Sequence, residues 1–353
     1  MGLVVHLAKR GVLLVVTLML AVYLTVLIAN GGGYIDKILE GQISQDIRTQ
    51  LFLDPAYRRL SAEDQAAIFN ARKALAMEAR GLNTPFLQRT MIYTIDALTL
   101  QLGRSQFLTA NDGSHQVYDI VGERMPRTLV LYTVSTLVGA FFGIWLGLRM
   151  ARKALSVFDR GTTVASVTTN VVPAWIFGIF FLLFFSYGLA WFPPGGWISN
   201  TAPPEGSAQW YLDIGYHMIL PLMALIVASF GAWAYTTRNL VLQIMDEDFV
   251  YAARARGLPE KVVLRKYVLR AASPAIVTSL ALALIIGLQG AIITETIFQY
   301  EGIGQLFFEA IVSFDAPVVI GLTAIFAYML VATVFILEVV YSYLDPRVRA
   351  ANR

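Results

Sequence analysis

Six stretches of this chain are apolar for long enough to cross a hydrocarbon layer about 30 Å thick, and that requirement narrows the possible folds more than any other feature. They lie at residues 11–29, 128–148, 171–192, 217–237, 274–297 and 317–342. Four carry no Asp, Glu, Lys or Arg, and the other two hold one acid each, Glu295 and Glu338, near a predicted end. A backbone in lipid must satisfy its own polar groups, so stretches of this length read as helices and the fold class as an all-α membrane protein. Apolar residues make up 57% of the chain and charged ones 14%, which excludes an ordinary soluble domain.

The basic residues orient the spans. With the N-terminus inside, inner segments hold Lys9, Arg10, Arg149, Arg152, Lys153, Arg160, seven residues between Arg238 and Arg270, and Arg347, Arg349 and Arg353. The outer loops 193–216 and 298–316 hold no Lys or Arg, the asymmetry of the positive-inside rule. The organisation expected is a cytoplasmic start at 1–10, span 11–29, an extracytoplasmic insert at 30–127, span 128–148 and an inner loop at 149–170. Span 171–192, outer loop 193–216, span 217–237 and a cytoplasmic loop at 238–273 follow. Span 274–297, outer loop 298–316, span 317–342 and a cytoplasmic tail at 343–353 complete it. The first span starts like a signal peptide but stays apolar too long and lacks a small-residue cleavage site, so it reads as a retained anchor.

The insert balances eleven basic with eleven acidic residues and reads as a folded, mainly helical domain. Ser61 with Asp64 makes a capping box, followed by Ile68, Ala71 and Leu75 on one face. Thr84 and Pro85 then open a helix whose stripe is Leu87, Met91, Ile95, Leu98 and Leu102, ending at Gly103.

The loop at 238–273 is the most informative part. Asp246, Glu247 and Asp248 place acid at a helix start. Gly257, Leu258 and Pro259 supply a left-handed end, its apolar contact and a stop. Phe249 and Ala253, with Ala252 beside them, form a face on which an aromatic anchor is flanked by small residues, suited to a partner's groove. A second helix is expected near Glu260, and Ser273 with Pro274 is expected to cap the fifth span.

At this loop the chain resembles the permease subunits of binding-protein-dependent ABC importers of the dipeptide and oligopeptide type. Family members carry an aromatic, Val, any residue, Thr or Ala, Ala-Arg-Ala, Lys or Arg, and Gly, and the chain has Phe249, Val250, Tyr251, Ala252, Ala253, Arg254, Ala255, Arg256 and Gly257. Further similar stretches are Leu102-Gly103-Arg104-Ser105, Glu123 through Leu129, and His217 through Pro221. Glu295-Thr296-Ile297-Phe298 leads into Gly302-Ile303-Gly304, and Tyr343-Leu344-Asp345-Pro346-Arg347 closes the set. Tyr251 stands where the broader importer pattern has Glu, and residues 30–83 match no part of it. The resemblance implies six spans in a type I importer permease fold. It also implies a second homologous permease subunit, two ABC ATPase subunits and an extracytoplasmic substrate-binding protein, with the helix from Asp246 to Gly257 as the coupling helix. Membrane lipid is the remaining partner, and nucleic acid is not expected. Peptide, oligosaccharide and nickel substrates all fall within the resemblance.

Other polar residues take simpler readings. Glu295 and Glu338, each near a span's end, are expected to be interfacial acids in reach of water. Asn170 and Gln289, with Glu295, are candidates for lining a translocation path, although such groups more often bond between helices. Ser135, Gly139, Gly143 and Gly147 recur every four residues, a face for close helix contact expected to be internal. Pro173 and Pro221 should bend their spans. His6, His115 and His217 lie in separate segments, so no metal site is expected, and there is no cysteine for a thiolate. No Gly-x-x-x-x-Gly-Lys motif occurs, so the chain must take its energy from a partner and is not expected to be an enzyme or to carry a cofactor. The rival classes are a multi-span receptor or sensor with a ligand-binding outer domain, and an intramembrane enzyme, for which no motif is present.

Overall fold

The computed structural model describes residues 3–31, 34–79, 82, 84–287 and 292–344. Among them the fold is helical, with one isolated bridge between Arg104 and Gln116 in place of any sheet. The helices are α1 (Leu3–Gly31), α2 (Tyr34–Leu53), α3 (Ala62–Ala79), α4 (Phe86–Leu98), α5 (Val117–Arg152), α6 (Val157–Val171) and α7 (Ala174–Phe181). Then come α8 (Ala208–Met245), α9 (Asp248–Ala255), α10 (Glu260–Val262), α11 (Leu269–Gly287), α12 (Ile292–Ile297), α13 (Ile303–Val312) and α14 (Ala316–Leu344). Among the described residues five helices are long and apolar enough to span a membrane, or six if one bent pair is counted as a single span. That pair is α6 and α7, which turn by 95° at Pro173. Pro173 lacks the amide that would continue α6, and Val172 before it is extended (φ −81°, ψ 121°), as the proline ring requires. The chain forms two compact units, one of His6–Ile120 with Ala310–Val331, the other of Val121–Glu309 with the two termini.

In the first unit, Ile43, Ile47 and Leu51 of α2 pack against Ile68, Phe69, Ala76 and Met77 of α3. Ser61 caps α3 as expected, accepting from the Asp64 amide at 3.2 Å. Ala71 and Leu75 instead point outward, so the packed face is rotated from the one the sequence suggested. The α4 helix begins after Pro85 and ends at Leu98 rather than at Gly103. Its expected stripe is also displaced. Leu87, Met91 and Ile95 are exposed, and Thr90, Thr94 and Ala97 are buried.

In the second unit the small-residue face of α5 meets α8. A Cβ on Gly139 would sit 2.6 Å from Ser229 Oγ, one on Gly143 2.6 Å from the Phe230 carbonyl oxygen, and one on Gly147 2.8 Å from Thr237 Cβ. The stripe is therefore an internal packing face, as expected, and only glycine permits that approach. On another side of α8, Gly231 lies against Ser166 and Thr169 of α6. Pro221 is buried inside α8, and Pro274 lies inside α11 rather than at a helix start. Ser273 is accordingly no cap. Its hydroxyl donates to the Arg270 carbonyl at 3.0 Å, the acceptor that Pro274 cannot reach for want of an N–H.

Glu295 departs from its expected position in water. It is fully buried, and its carboxylate accepts from the Gly304 amide at 2.8 Å, the Gln305 amide at 3.2 Å and the Thr128 hydroxyl at 3.0 Å. The Ile303 amide donates to Thr128 Oγ1 at 2.9 Å. The first three amides of α13 thus find acceptors on α5 and α12, where a negative group at a helix N-terminus is favoured. Close by, Tyr300 donates to the Arg127 carbonyl, and the Arg127 guanidinium pairs with Glu123 and Glu301 while lying over Trp197.

Candidate coupling surface

The ends of α5 and α8 meet α9 and the start of the next helical rod in one apolar cluster of Ala151, Val241, Val250, Ala253, Val263 and Val268. Leu148, Ile244, Met245 and Leu258 pack around it. The helix begins one turn fraction later than the sequence suggested. Asp246 is the last cap of α8, Glu247 is the residue before α9, and Asp248 is its first-turn acid. Its end follows the expectation in detail. Gly257 is left-handed at φ +72°, its amide donates to the Arg254 carbonyl at 2.9 Å, and the Leu258 amide reaches back to the Ala253 carbonyl at 3.4 Å. Those two bonds define a Schellman cap, and Leu258 completes it by joining the cluster. Pro259 then opens α10, and the chain continues through the π-helical turn Val263–Val268 into α11, so α9 is tied to α8 on one side and to the α11 rod on the other.

Two faces result. Val250 and Ala253, three residues apart, are buried inward. Phe249 is 43% exposed and Tyr251 75%, and Ala252, Ala255 and Arg256 are exposed with them. Ala253 therefore belongs to the inner face and not beside Phe249 on the outer one, since a residue four positions on is turned partly toward the cluster that Val250 enters. Arg254 is held by Glu260 at 2.9 Å, and that hydrogen bond raises its pKa above the usual arginine value, so it is charged throughout the physiological range.

An ion pair that sequence reasoning missed braces the same end. Asp159, buried on α6, accepts both Arg238 Nε at 2.5 Å and its terminal nitrogen at 2.6 Å, while the Leu155 amide donates to it at 2.9 Å. The two residues are far apart in sequence with no periodic relation. The one local sign was Ser156, which caps α6 by accepting from the Asp159 amide.

The remaining path candidates are not brought together. Asn170 is exposed near the end of α6, Glu295 is enclosed by Thr128 and α13, and Gln289 lies outside the described residues. The tail motif from Asp345 onward also lies outside them. No cluster of three or more metal-ligating side chains occurs among the described residues.

The model of the family described as "Binding-protein-dependent transport system inner membrane component" matches residues 140–350, the part of the chain that contains α9 and its supports. The chain belongs to that family. Among its relatives, the oligopeptide transport system permease protein AppB of Bacillus subtilis is 32% identical over 66% of this chain and 72% of its own. The di/tripeptide transport system permease protein DppB of Pseudomonas aeruginosa is 30% identical over 78% and 84%. The peptidoglycan transport system permease protein YejB of Agrobacterium fabrum is 28% identical over 77% and 74%. As a member of this family the chain is a multi-pass membrane protein, and its apolar helices agree with that placement.

Proposed function

We propose that the chain is a permease subunit of an ATP-driven importer of small peptides, and that α9 is the helix through which ATPase motion reaches the membrane. The two-faced geometry of α9 carries this reading: Val250 and Ala253 fix it to the ends of α5, α8 and the α11 rod, while Phe249, Tyr251 and Arg256 stand free for a soluble partner. A helix so tied moves its spans when it is pulled. The names of the peptide-transport relatives support the substrate class, and peptidoglycan transport in one of them marks how far the cargo varies.

In this mechanism two ATPase subunits close on ATP, draw together this α9 and its counterpart on a second homologous permease, and turn the bundle toward a substrate-binding protein outside. The chain itself catalyses nothing. Both termini and α9 face the cytoplasm, in accord with the basic residues of their segments. Asn170, Gln289 and Glu295 remain candidates for the path, with Glu295 acting through its hold on α13.

The test is the assembled transporter with Phe249→Ala or Gly257→Val. Both variants should insert and assemble, yet hydrolysis by the ATPase subunits should no longer drive uptake. Uptake at the parent rate in both would sink the proposal.

A further inference from the structure

We propose that α4 is a re-entrant helix, entering the hydrocarbon layer beside α1 and α14 and presenting Leu87, Met91 and Ile95 to lipid acyl chains. The apolar stretch of α1 runs Lys9–Ile28 and that of α14 runs Ala316–Leu337, so Leu18 and Tyr328 lie near the two midpoints. Both residues belong to one cluster with Tyr93, Ala97 and Leu98 of α4. At a rise of about 1.5 Å per residue, Tyr328 is roughly 18 Å along α14 from Ala316. That is past the middle of a layer about 30 Å thick. The C-terminal end of α4 is therefore as deep as the centres of two spans.

The way back is also recorded. Leu98 meets Tyr328, Leu102 lies against Gly321, and Ser105 donates to Asp315 at 2.7 Å. After the turn at Thr99 and Leu100 the chain follows α14 back past Gly321 to Asp315.

The deep end is finished as a dry site demands. The Ile95 carbonyl accepts from the Thr99 amide at 2.8 Å, Asp96 from the Gln101 amide at 2.8 Å, Ala97 from the Leu100 amide at 3.2 Å, and Leu98 from the Tyr328 hydroxyl. All four terminal carbonyls are paired within the protein, as a site away from water requires. The two faces of α4 then sort by size. The inward one is Thr90, Thr94 and Ala97, with both hydroxyls bonded to carbonyls one turn back. The outward one is Leu87, Met91 and Ile95, each more than half exposed. Exposed Gln88 and Ile92 adjoin it, and helix contacts in membranes favour small residues, so the large side chains of this face suit lipid. The exposed Leu13, Leu20 and Leu24 of α1 present the same character. Half-buried Asp96 sits on the flank between the two faces.

The chain has no cysteine, so nitroxide labels can be placed singly by Leu87→Cys, Met91→Cys and Ile95→Cys in the assembled transporter in lipid. Collisions with oxygen should exceed those with a nickel chelate several-fold, and the ratio should rise from position 87 to 95. Dominant nickel access would place the helix in water and overturn the proposal. Immobilised spectra shielded from both reagents would overturn it too, by showing a protein partner over this face. Met91→Trp gives a label-free reading: acyl chains brominated at mid-depth should quench its added fluorescence, and no quenching counts against the idea.

Discussion

At the scale of single residues, charge placement decides more than charge number. Asp159 is buried and held chiefly by Arg238 and the Leu155 amide, with Arg160 nearby, and removing the paired guanidinium leaves a poorly compensated charge. Arg238→Met is expected to destabilise the protein by about 3 kcal/mol, in the range found for broken buried pairs. Adding Asp159→Leu should recover much of that loss, because well-packed apolar residues often replace a buried pair at little cost. Thermal unfolding in detergent measures both, and equal midpoints for Arg238→Met and the parent would refute the role given to the pair. Residues of this kind were hard to find from sequence. Glu295 and Asp159 look like ordinary acids near helix ends, and what separates them is which distant amide or guanidinium the fold brings, a fact that spacing along the chain does not contain. Gly257 was legible because its cause is local: a left-handed residue followed by Leu258 and Pro259 ends a helix wherever it occurs.

At the scale of helices, the apolar windows located the spans but not the helices. The window at 217–237 became α8, Ala208–Met245, since hydropathy reports what sits in hydrocarbon while backbone hydrogen bonding continues into water at both ends. The rule for soluble helices puts the large apolar residues of α4 against the core. Here small Thr90, Thr94 and Ala97 face it, the inversion that the proposed lipid neighbour of α4 would produce. The glycine face of α5 was readable for the same reason, as small residues at a spacing of four mark close contact directly. Gly143→Leu tests it. A side chain there would collide with the Phe230 carbonyl and the backbone of Ala234 on α8, and backbone cannot move aside as a flexible side chain can. The expected outcome is loss of the folded protein from membranes, read as protease sensitivity and low yield. Gly161→Leu, at a position with open space, should leave both unchanged. Equal behaviour of the two variants would remove α5 and α8 contact from the account of stability.

For the whole molecule, the proposed mechanism requires α9 to lie on the cytoplasmic side and to be covered there by an ATPase subunit. The charge pattern supports that side: loops 193–216 and 298–316 carry no Lys or Arg, and the segment between Arg238 and Arg270 carries seven. Tyr251, 75% exposed next to buried Val250, supports such a cover by offering an aromatic ring to a partner. Tyr251→Cys and, for the opposite side, Glu205→Cys each provide a single thiol in a chain that has none. In sealed inside-out vesicles an impermeant maleimide should label position 251 and spare position 205, and in right-side-out vesicles the reverse should hold. Adding the ATPase subunits should then slow labelling at 251 and leave 205 unaffected. Labelling of 251 from the outside would overturn the orientation and the mechanism together. Labelling from the inside with no protection would keep the orientation but detach α9 from the ATPase, leaving Val250 and Ala253 with a purely structural part in joining α8 to the α11 rod.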